Sequence, residues 1–303
     1  MMRIVIHEVG PRDGLQLEPE VVPLETKENW IRRSMESGVD IVQAGSFVHP
    51  KRVPQMADTD ELCRRLTRDK SSPVILSGLV LNERGLERGL ACGIEMFCLG
   101  ASASETHSMK NTGMASEEAT RRIIGSALQA VAAGKKVQVS VQSAFGCGFE
   151  GPIPEERVLA MVSAYLEAGL RNISLADTAG HAHPDQVERL FAALFKLDSN
   201  IEITCHFHNT YGLGMANILA ALRSGVTSFE TGFAGLGGCP FTRVAAGNVA
   251  TEDFVHALHL QGQRQDVDLE RLISLARDVA EFFGREMPGC VYKTGAISNQ
   301  EAA

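Results

Sequence analysis

A short unit recurs along this chain: an amphipathic helical stretch, a small residue followed by Gly, and then, two or three residues on, a β-prone run. It stands as Ser37-Gly38-Val39-Asp40-Ile41-Val42, Cys92-Gly93-Ile94-Glu95-Met96-Phe97, Ala133-Gly134-Lys135-Lys136-Val137, Ala168-Gly169-Leu170-Arg171-Asn172-Ile173 and Ser224-Gly225-Val226-Thr227-Ser228-Phe229. Each Gly follows helical periodicity, as over Val158 to Ala168 or Ala216 to Leu222, where a left-handed C-cap residue is expected. Helix, glycine and strand in repetition is the βα unit of a parallel sheet. Strand-like runs at residues 3–9, 39–45, 73–80, 94–99, 137–143, 171–176, 201–207 and 226–232 bring the count to about eight. Eight such units without a G-x-G-x-x-G turn favour a closed (β/α)8 barrel over a doubly wound open sheet. The chain is therefore read as α/β, a TIM barrel over residues 1–288 with a short C-terminal extension. Residues 289–303 are expected to be a poorly structured tail.

With 303 residues, 44% apolar and 22% charged, the chain can bury a large core, and barrels of this length form one domain. A formal net charge of -8 argues against nucleic acid or an anionic membrane as the main partner. No apolar run approaches the roughly 20 residues of a membrane span, and Met1-Met2-Arg3-Ile4 leads straight into a strand. A cytoplasmic protein is expected. Cys63, Cys92, Cys98, Cys147, Cys205, Cys239 and Cys290 are scattered, odd in number and without a C-x-x-C pair, which suits reduced thiols, most of them apolar fillers.

In a (β/α)8 barrel the reacting groups stand where strands run into βα loops. Those ends here carry Arg12-Asp13, Gln43 to Ser46, Asn82, Gly100 to Ser102, Gln142-Ser143, Asp177-Thr178, His206 to His208 and the loop around Cys239. In Cys205-His206-Phe207-His208-Asn209 the two histidines fall two apart on a strand, so they project to one face. Two imidazoles there suit a divalent cation if a carboxylate arrives from elsewhere, and Asp13 follows the first strand. Taken singly, the histidines also fit core or surface positions, and Arg12-Asp13 also fits a turn ion pair. The polar character of the whole rim favours the functional reading. Gly235-Leu236-Gly237-Gly238-Cys239-Pro240 is a Gly-rich loop that delivers a thiol rather than a core strand, and Thr251-Glu252-Asp253 starts the closing helix.

With these motifs in hand, the chain resembles the 3-hydroxy-3-methylglutaryl-CoA (HMG-CoA) lyases, metal-dependent barrels related to isopropylmalate synthase. The resemblance covers almost the whole chain. It rests on Glu8-Val9-Gly10-Pro11-Arg12-Asp13-Gly14-Leu15-Gln16, Ser46-Phe47-Val48, Pro54-Gln55-Met56, Asp177-Thr178, His206-x-His208, Thr210-Tyr211-Gly212, Gly235 to Pro240 and Gly247-Asn248-x-Ala250-Thr251-Glu252-Asp253. It implies that Asp13, His206, His208 and Asn248 hold Mg2+ or Mn2+, that Arg12 neutralises charge on substrate and enolate, and that Cys239 is a catalytic thiol. Asp177 is implied at the site in proton traffic or positioning. Gln16, Gln43, Ser46, Ser143 and Arg243 are expected around the substrate. The implied reaction is retro-Claisen cleavage of a 3-hydroxyacyl-CoA to acetyl-CoA and a keto acid, by a homo-oligomer of two or more copies.

Three departures from the lyases resembled bear on the acyl group. Gln43 stands where they usually carry Glu, which removes a negative charge. Asn209 stands where they usually carry Asp and is closer to the condensing enzymes. Phe241-Thr242-Arg243-Val244 adds a cation beside the thiol loop. The leading expectation is a lyase with HMG-CoA as its default substrate; a related acyl-CoA such as citramalyl-CoA or a longer branched glutaryl-CoA is the first alternative. A Claisen-type condensing transferase is the second alternative, for whose usual extra domains the chain has no room, and a silent acyl-CoA-binding barrel is a third class.

Overall fold

The structure, a computed structural model, describes residues 3–68, 72–237 and 247–297. Eight parallel strands close in chain order: β1 (Val5–Glu8), β2 (Ile41–Ser46), β3 (Ile75–Leu79), β4 (Met96–Ser102), β5 (Lys136–Gln142), β6 (Asn172–Asp177), β7 (Glu202–Phe207) and β8 (Ser228–Thr231), with β8 pairing back onto β1. Between them run α1 (Leu24–Glu36), α2 (Thr59–Arg68), α3 (Glu83–Ala91), α4 (Glu105–Thr112), α5 (Ser116–Ala132), α6 (Glu155–Glu167), α7 (Pro184–Leu197) and α8 (Gly214–Arg223). After β8 come α9 (Thr251–Leu260), α10 (Leu269–Phe283) and the single turn α11 (Val291–Thr294). The expected (β/α)8 barrel is thus the observed one, with strand bounds differing by up to three residues. No helix of the described residues is long and apolar enough to cross a membrane.

The recurring glycines do what their position predicts. Gly38, Gly93, Gly134, Gly169 and Gly225 all have φ between 74° and 95°, the left-handed region that turns each helix end into the next strand and that a Cβ disfavours. Side chains on the outer faces of the strands, Val42, Phe97, Val141, Leu175, Phe207 and Phe229 among them, pack under the helices as one continuous apolar layer. The inner face is different. Its lower part is plugged by Ile41, Met96 and Cys98 with Val5 and Ile75 against them, while its upper part is polar. Gln138 Nε2 donates to Thr204 Oγ1 at 3.0 Å, and His7 Nε2 meets Ser77 Oγ at 2.9 Å. Each of these contacts skips a strand, so it is made across the barrel interior.

Residues 289–297 differ from the poorly structured tail expected there. The Asp253 carboxylate at the start of α9 accepts the backbone N–H groups of Cys290 (2.9 Å) and Val291 (2.7 Å), which would otherwise be orphaned at the start of α11. Gly289 donates to Ala234 O at 3.1 Å, and Val291 and Tyr292 are buried. The segment lacks helical length and periodicity, so only this long-range capping reveals that it is docked.

Candidate active site at the C-terminal mouth of the barrel

Immediately after β1 the chain makes one wide helical turn, Gly10–Gly14, in which Val9 O accepts the N–H groups of Arg12 (3.0 Å) and Asp13 (2.7 Å). Pro11, with its fixed φ, opens the turn. Gly10 is required by close approach, since a Cβ there would lie 2.7 Å from Glu8 Oε1 and 2.9 Å from the Phe233 ring. The Glu8 carboxylate anchors the turn: Oε1 accepts from Gly10 N (2.6 Å) and Phe233 N (3.0 Å), and Oε2 from the Thr251 hydroxyl (2.6 Å). Burial pushes this carboxyl up to about 7. One buried side chain therefore ties together the three segments that carry Asp13, the start of the Gly-rich loop and α9.

Asp13 meets the histidines of β7 over the barrel mouth. His206 Nε2 and His208 Nε2 lie 3.0 Å apart, and Asp13 Oδ2 is 3.8 Å from the first and 3.6 Å from the second. All three side chains are buried, and they form the group of potential ligands able to hold a metal ion among the described residues. Asn248 joins them because its backbone bridges His208, extending the end of β7. Its Nδ2 donates to Asp13 Oδ2 (3.0 Å) and Leu236 O (2.8 Å), while its buried Oδ1 has no hydrogen-bond partner among the described residues. A carboxylate, two facing imidazole nitrogens and an orphaned amide oxygen are the donor set a divalent cation takes, and neighbouring ligands of an octahedral ion with bonds of about 2.1 Å sit about 3.0 Å apart. The four residues fit such an ion.

The electrostatics agree. Burial by itself favours a neutral Asp13, but the Arg12 guanidinium and the two imidazoles outweigh it and hold the carboxyl well below the usual range. Burial lowers His208, which favours the neutral imidazole over the charged one. At His206 burial works in the same direction but is overcome by Glu230 and Asp13, which raise it.

Arg12 spans the site: Nη1 donates to Asp13 Oδ1 at 2.5 Å, and Nε donates to the side-chain oxygen of Gln43. Gln16 Nε2 reaches the same Asp13 oxygen at 3.3 Å. The register of β2 against β3 shifts between Gln43 and Gly45. This bulge resets the side-chain alternation so that both Gln43 and Ser46 face the cavity, where strict alternation would send them to opposite faces. Gln16, Gln43 and Ser46 all line a cavity of about 370 Å3 above Arg12, Asp13 and His206. The buried Ser46 hydroxyl has no hydrogen-bond partner among the described residues.

Other expected residues lie elsewhere. Asp177 Oδ1 accepts the N–H groups of His181 (2.8 Å) and Ala182 (3.2 Å), so its carboxylate braces the β6–α7 turn and is absent from the cavity wall. Burial pushes it up to about 7. Ser143 also stands behind the wall, its N–H given to Thr178 Oγ1 at 2.9 Å, and it is Thr178 that faces the cavity. Asn209 accepts the N–H of Gly214 at the start of α8 (3.0 Å), a role that Asp fills equally, so the structure gives no reason for this departure. Cys239 and Arg243 lie outside the described residues.

Sequence reasoning passed over Glu230 and His7. Glu230 Oε2 lies 2.8 Å from His206 Nδ1, and its other oxygen lies 3.7 Å from His7 Nδ1. The signal was present in Ser228-Phe229-Glu230-Thr231, where alternation with the buried Phe229 aims a carboxylate into the barrel. The cavity wall also carries Gln142, Ser140 and Ser174 from β5 and β6.

Residues 3–279 match the HMGL-like family model. The HMG-CoA lyase YngG of Bacillus subtilis is 38% identical over 94% of this chain and 95% of its own length. The (R)-citramalyl-CoA lyase of Chloroflexus aurantiacus is 35% identical over 99% of this chain and 97% of its own. A solved HMG-CoA lyase from Acinetobacter baumannii, in complex with coenzyme A and 3-methylmalate, superposes with a TM-score of 0.93 at 37% identity, covering 99% of this chain and 98% of that one. With its closed barrel and the site at its mouth, the chain belongs to the HMGL-like family, the HMG-CoA lyase family of (β/α)8-barrel carbon–carbon lyases.

Proposed function

We propose that the protein cleaves a 3-hydroxyacyl-CoA of the HMG-CoA type to acetyl-CoA and a keto acid, acetoacetate where the substrate is HMG-CoA. The observation that carries this reading is the convergence of Asp13, His206 and His208 beside the Arg12 guanidinium in one buried cluster. A divalent cation, Mg2+ or Mn2+, would be held by these three side chains and Asn248 Oδ1 and would supply Lewis acidity to the substrate oxygens.

The chain's own groups do the rest. Arg12, held by Asp13 on one side and Gln43 on the other, sets a fixed positive charge where an enolate oxygen develops, which costs no reorganisation during the reaction. The alcohol proton leaves, the C2–C3 bond breaks with its electron pair passing to the thioester enolate, and C2 then takes up a proton. Cys239 is the proton carrier in this scheme, a thiol with an ordinary pKa of about 8.5 that can gain or lose a proton near neutrality. Gln16, Ser46 and Arg243 contact the substrate, while Asp177 and Ser143 act from behind by holding the β5 and β6 turns.

Gln43 distinguishes the acyl groups. It gives Arg12 a neutral acceptor where a Glu would give a second carboxylate, so more of the guanidinium charge is directed at the substrate. A citramalyl-CoA or longer branched acyl-CoA, with a different carboxylate position, is the alternative substrate. The protein is proposed to work in the cytoplasm as a dimer or larger homo-oligomer, which light scattering on the purified chain tests. Incubation with Mg2+ and a panel of 3-hydroxyacyl-CoAs, with the keto acid identified by mass spectrometry, tests the reaction. Release of no keto acid from any of them refutes the reading.

A further inference from the structure

The two histidines of β7 are alike in sequence but not in surroundings. His206 stands in register with Glu230 on the neighbouring strand β8, and Glu230 Oε2 lies 2.8 Å from its Nδ1. Behind Glu230 the buried His7 lies 3.7 Å from the other carboxylate oxygen and is itself tied to Ser77 Oγ at 2.9 Å, so the carboxylate is backed on its far side. The buried Nδ1 atoms of both rings lack a well-aligned hydrogen bond among the described residues, but His206 Nδ1 has a carboxylate oxygen 2.8 Å away, whereas the carboxylate nearest His208, that of Asp13, lies on its Nε2 side. An ionised carboxylate can only accept. The proton beside Glu230 therefore belongs on Nδ1 of His206, and the other nitrogen of that ring, Nε2, is the one that faces Asp13 and His208.

We propose that Glu230 is a positioning residue that holds His206 in its Nδ1–H form with Nε2 aimed at the cation, so that His206 is preset and His208 takes its tautomer from the bound ion. The proposal rests on reading Asp13, His206 and His208 as a cation site. Partners of this kind fix the ring orientation and raise ligand basicity, and their loss typically weakens metal binding about 10- to 100-fold. Three features favour positioning over mere packing. Among the described residues Glu230 is the only carboxylate that the register of β7 and β8 sets beside a histidine, its nearer oxygen is at hydrogen-bond distance, and it lines the cavity without a hydrogen bond to Asp13 or Asn248.

The test uses the full chain, stripped with a chelator and titrated with Mn2+ while the free ion is followed by electron paramagnetic resonance. The Mg2+-saturated protein is observed in parallel by 15N-edited NMR of the histidine side chains. In the native protein His206 is expected to show a strongly hydrogen-bonded, downfield Nδ1–H, and His208 is not. Glu230→Leu should move that proton upfield and weaken Mn2+ binding about 10- to 100-fold. Glu230→Gln keeps an acceptor oxygen without the charge and should fall between the two. Native Mn2+ affinity in Glu230→Leu overturns the proposal. So does a native spectrum without the hydrogen-bonded Nδ1–H, which needs no variant and decides the matter even if the leucine protein fails to fold. His206→Ala separates the two layers of argument. If it binds Mn2+ as tightly as the native chain, the cation reading itself is refuted; if it does not while both Glu230 variants bind normally, only the role of Glu230 is.

Discussion

The two faces of the barrel wall are built on opposite principles. Outside, between strands and helices, Phe97, Phe191, Phe207 and Phe229 belong to a continuous apolar layer. Inside, above the Ile41–Met96–Cys98 plug, the same strands present His7, Gln43, Gln138, His206 and Glu230, all buried. Strand alternation makes both possible from one sequence, since residues i and i+1 face different layers. Burying apolar area contributes stability without direction, while buried polar groups cost free energy unless each is paired. The outer layer therefore should govern whether the protein folds, and the inner one what it does.

That division can be broken most decisively at His208. His208→Ala removes a potential ligand but no apolar packing, so turnover should fall by about 10³-fold or more while the thermal transition stays close to native. Full activity of this variant without added metal would end the metal-site reading. Next comes the thiol. Cys239→Ser should retain acyl-CoA binding and lose about 10²- to 10⁴-fold in turnover, measured as separate KM and kcat. An unchanged rate, or a protein that no longer folds, removes the catalytic assignment.

The outer layer gives the converse. Phe191 of α7 is fully buried and packs edge-on against Phe145 at 6.2 Å. Phe191→Ala should cost about 3–5 kcal/mol in urea unfolding, with turnover per folded molecule unchanged. A large loss of specific activity at equal folded fraction would show that the two faces are coupled. A subtler effect is expected from Gln43→Glu, which puts a second carboxylate on Arg12 and should shift the kcat/KM ratio between HMG-CoA and citramalyl-CoA about tenfold, equivalent to about 1.4 kcal/mol. High native activity on HMG-CoA that the substitution leaves untouched argues against a specificity role.

The effect furthest from turnover concerns Glu252, where a carboxylate intrudes on the apolar surroundings. Its Oε2 accepts the Ala234 N–H at 3.1 Å, and burial pushes it up to about 8. Between its ordinary value near 4.5 and about 8 the folded state holds a proton that the unfolded chain has lost. Stability from this group is therefore complete below about pH 4.5 and declines as the pH rises through 8. Glu252→Gln keeps the hydrogen bond and should flatten the decline in stability between pH 5 and pH 8, which at about 1.4 kcal/mol per pH unit amounts to about 4 kcal/mol across that window. An unaltered slope in urea titrations at those pH values would place the carboxyl's titration elsewhere.

The glycines that end the helices, the periodicity between them and the pair His206 and His208 could be read directly, because each is a local matter: φ sign, a 3.6-residue repeat and strand alternation. The site was less legible where a contact joins distant segments. Gln43 and Ser46 share the cavity because of a bulge that no residue type announces. Asp177, adjacent to a cavity residue in sequence, turns its carboxylate to the backbone of its own loop. Residues 289–297 looked like a tail because their anchor, Asp253, lies 37 residues away from Cys290.

By itself the sequence determined the number and order of βα units, the glycine-marked helix ends and the residue types able to bind a cation, since these depend on backbone sterics and side-chain chemistry within a few residues. Only the tertiary structure decided that Asp13 and Asn248 meet the histidines, that Glu230 stands beside one imidazole and not the other, and that Gln43 engages Arg12. Those facts depend on closing the sheet, which brings β8 against β1 and sets side chains more than 200 residues apart within hydrogen-bonding distance. No local preference encodes such distances; they follow from the strand register that the apolar layer outside the barrel holds in place.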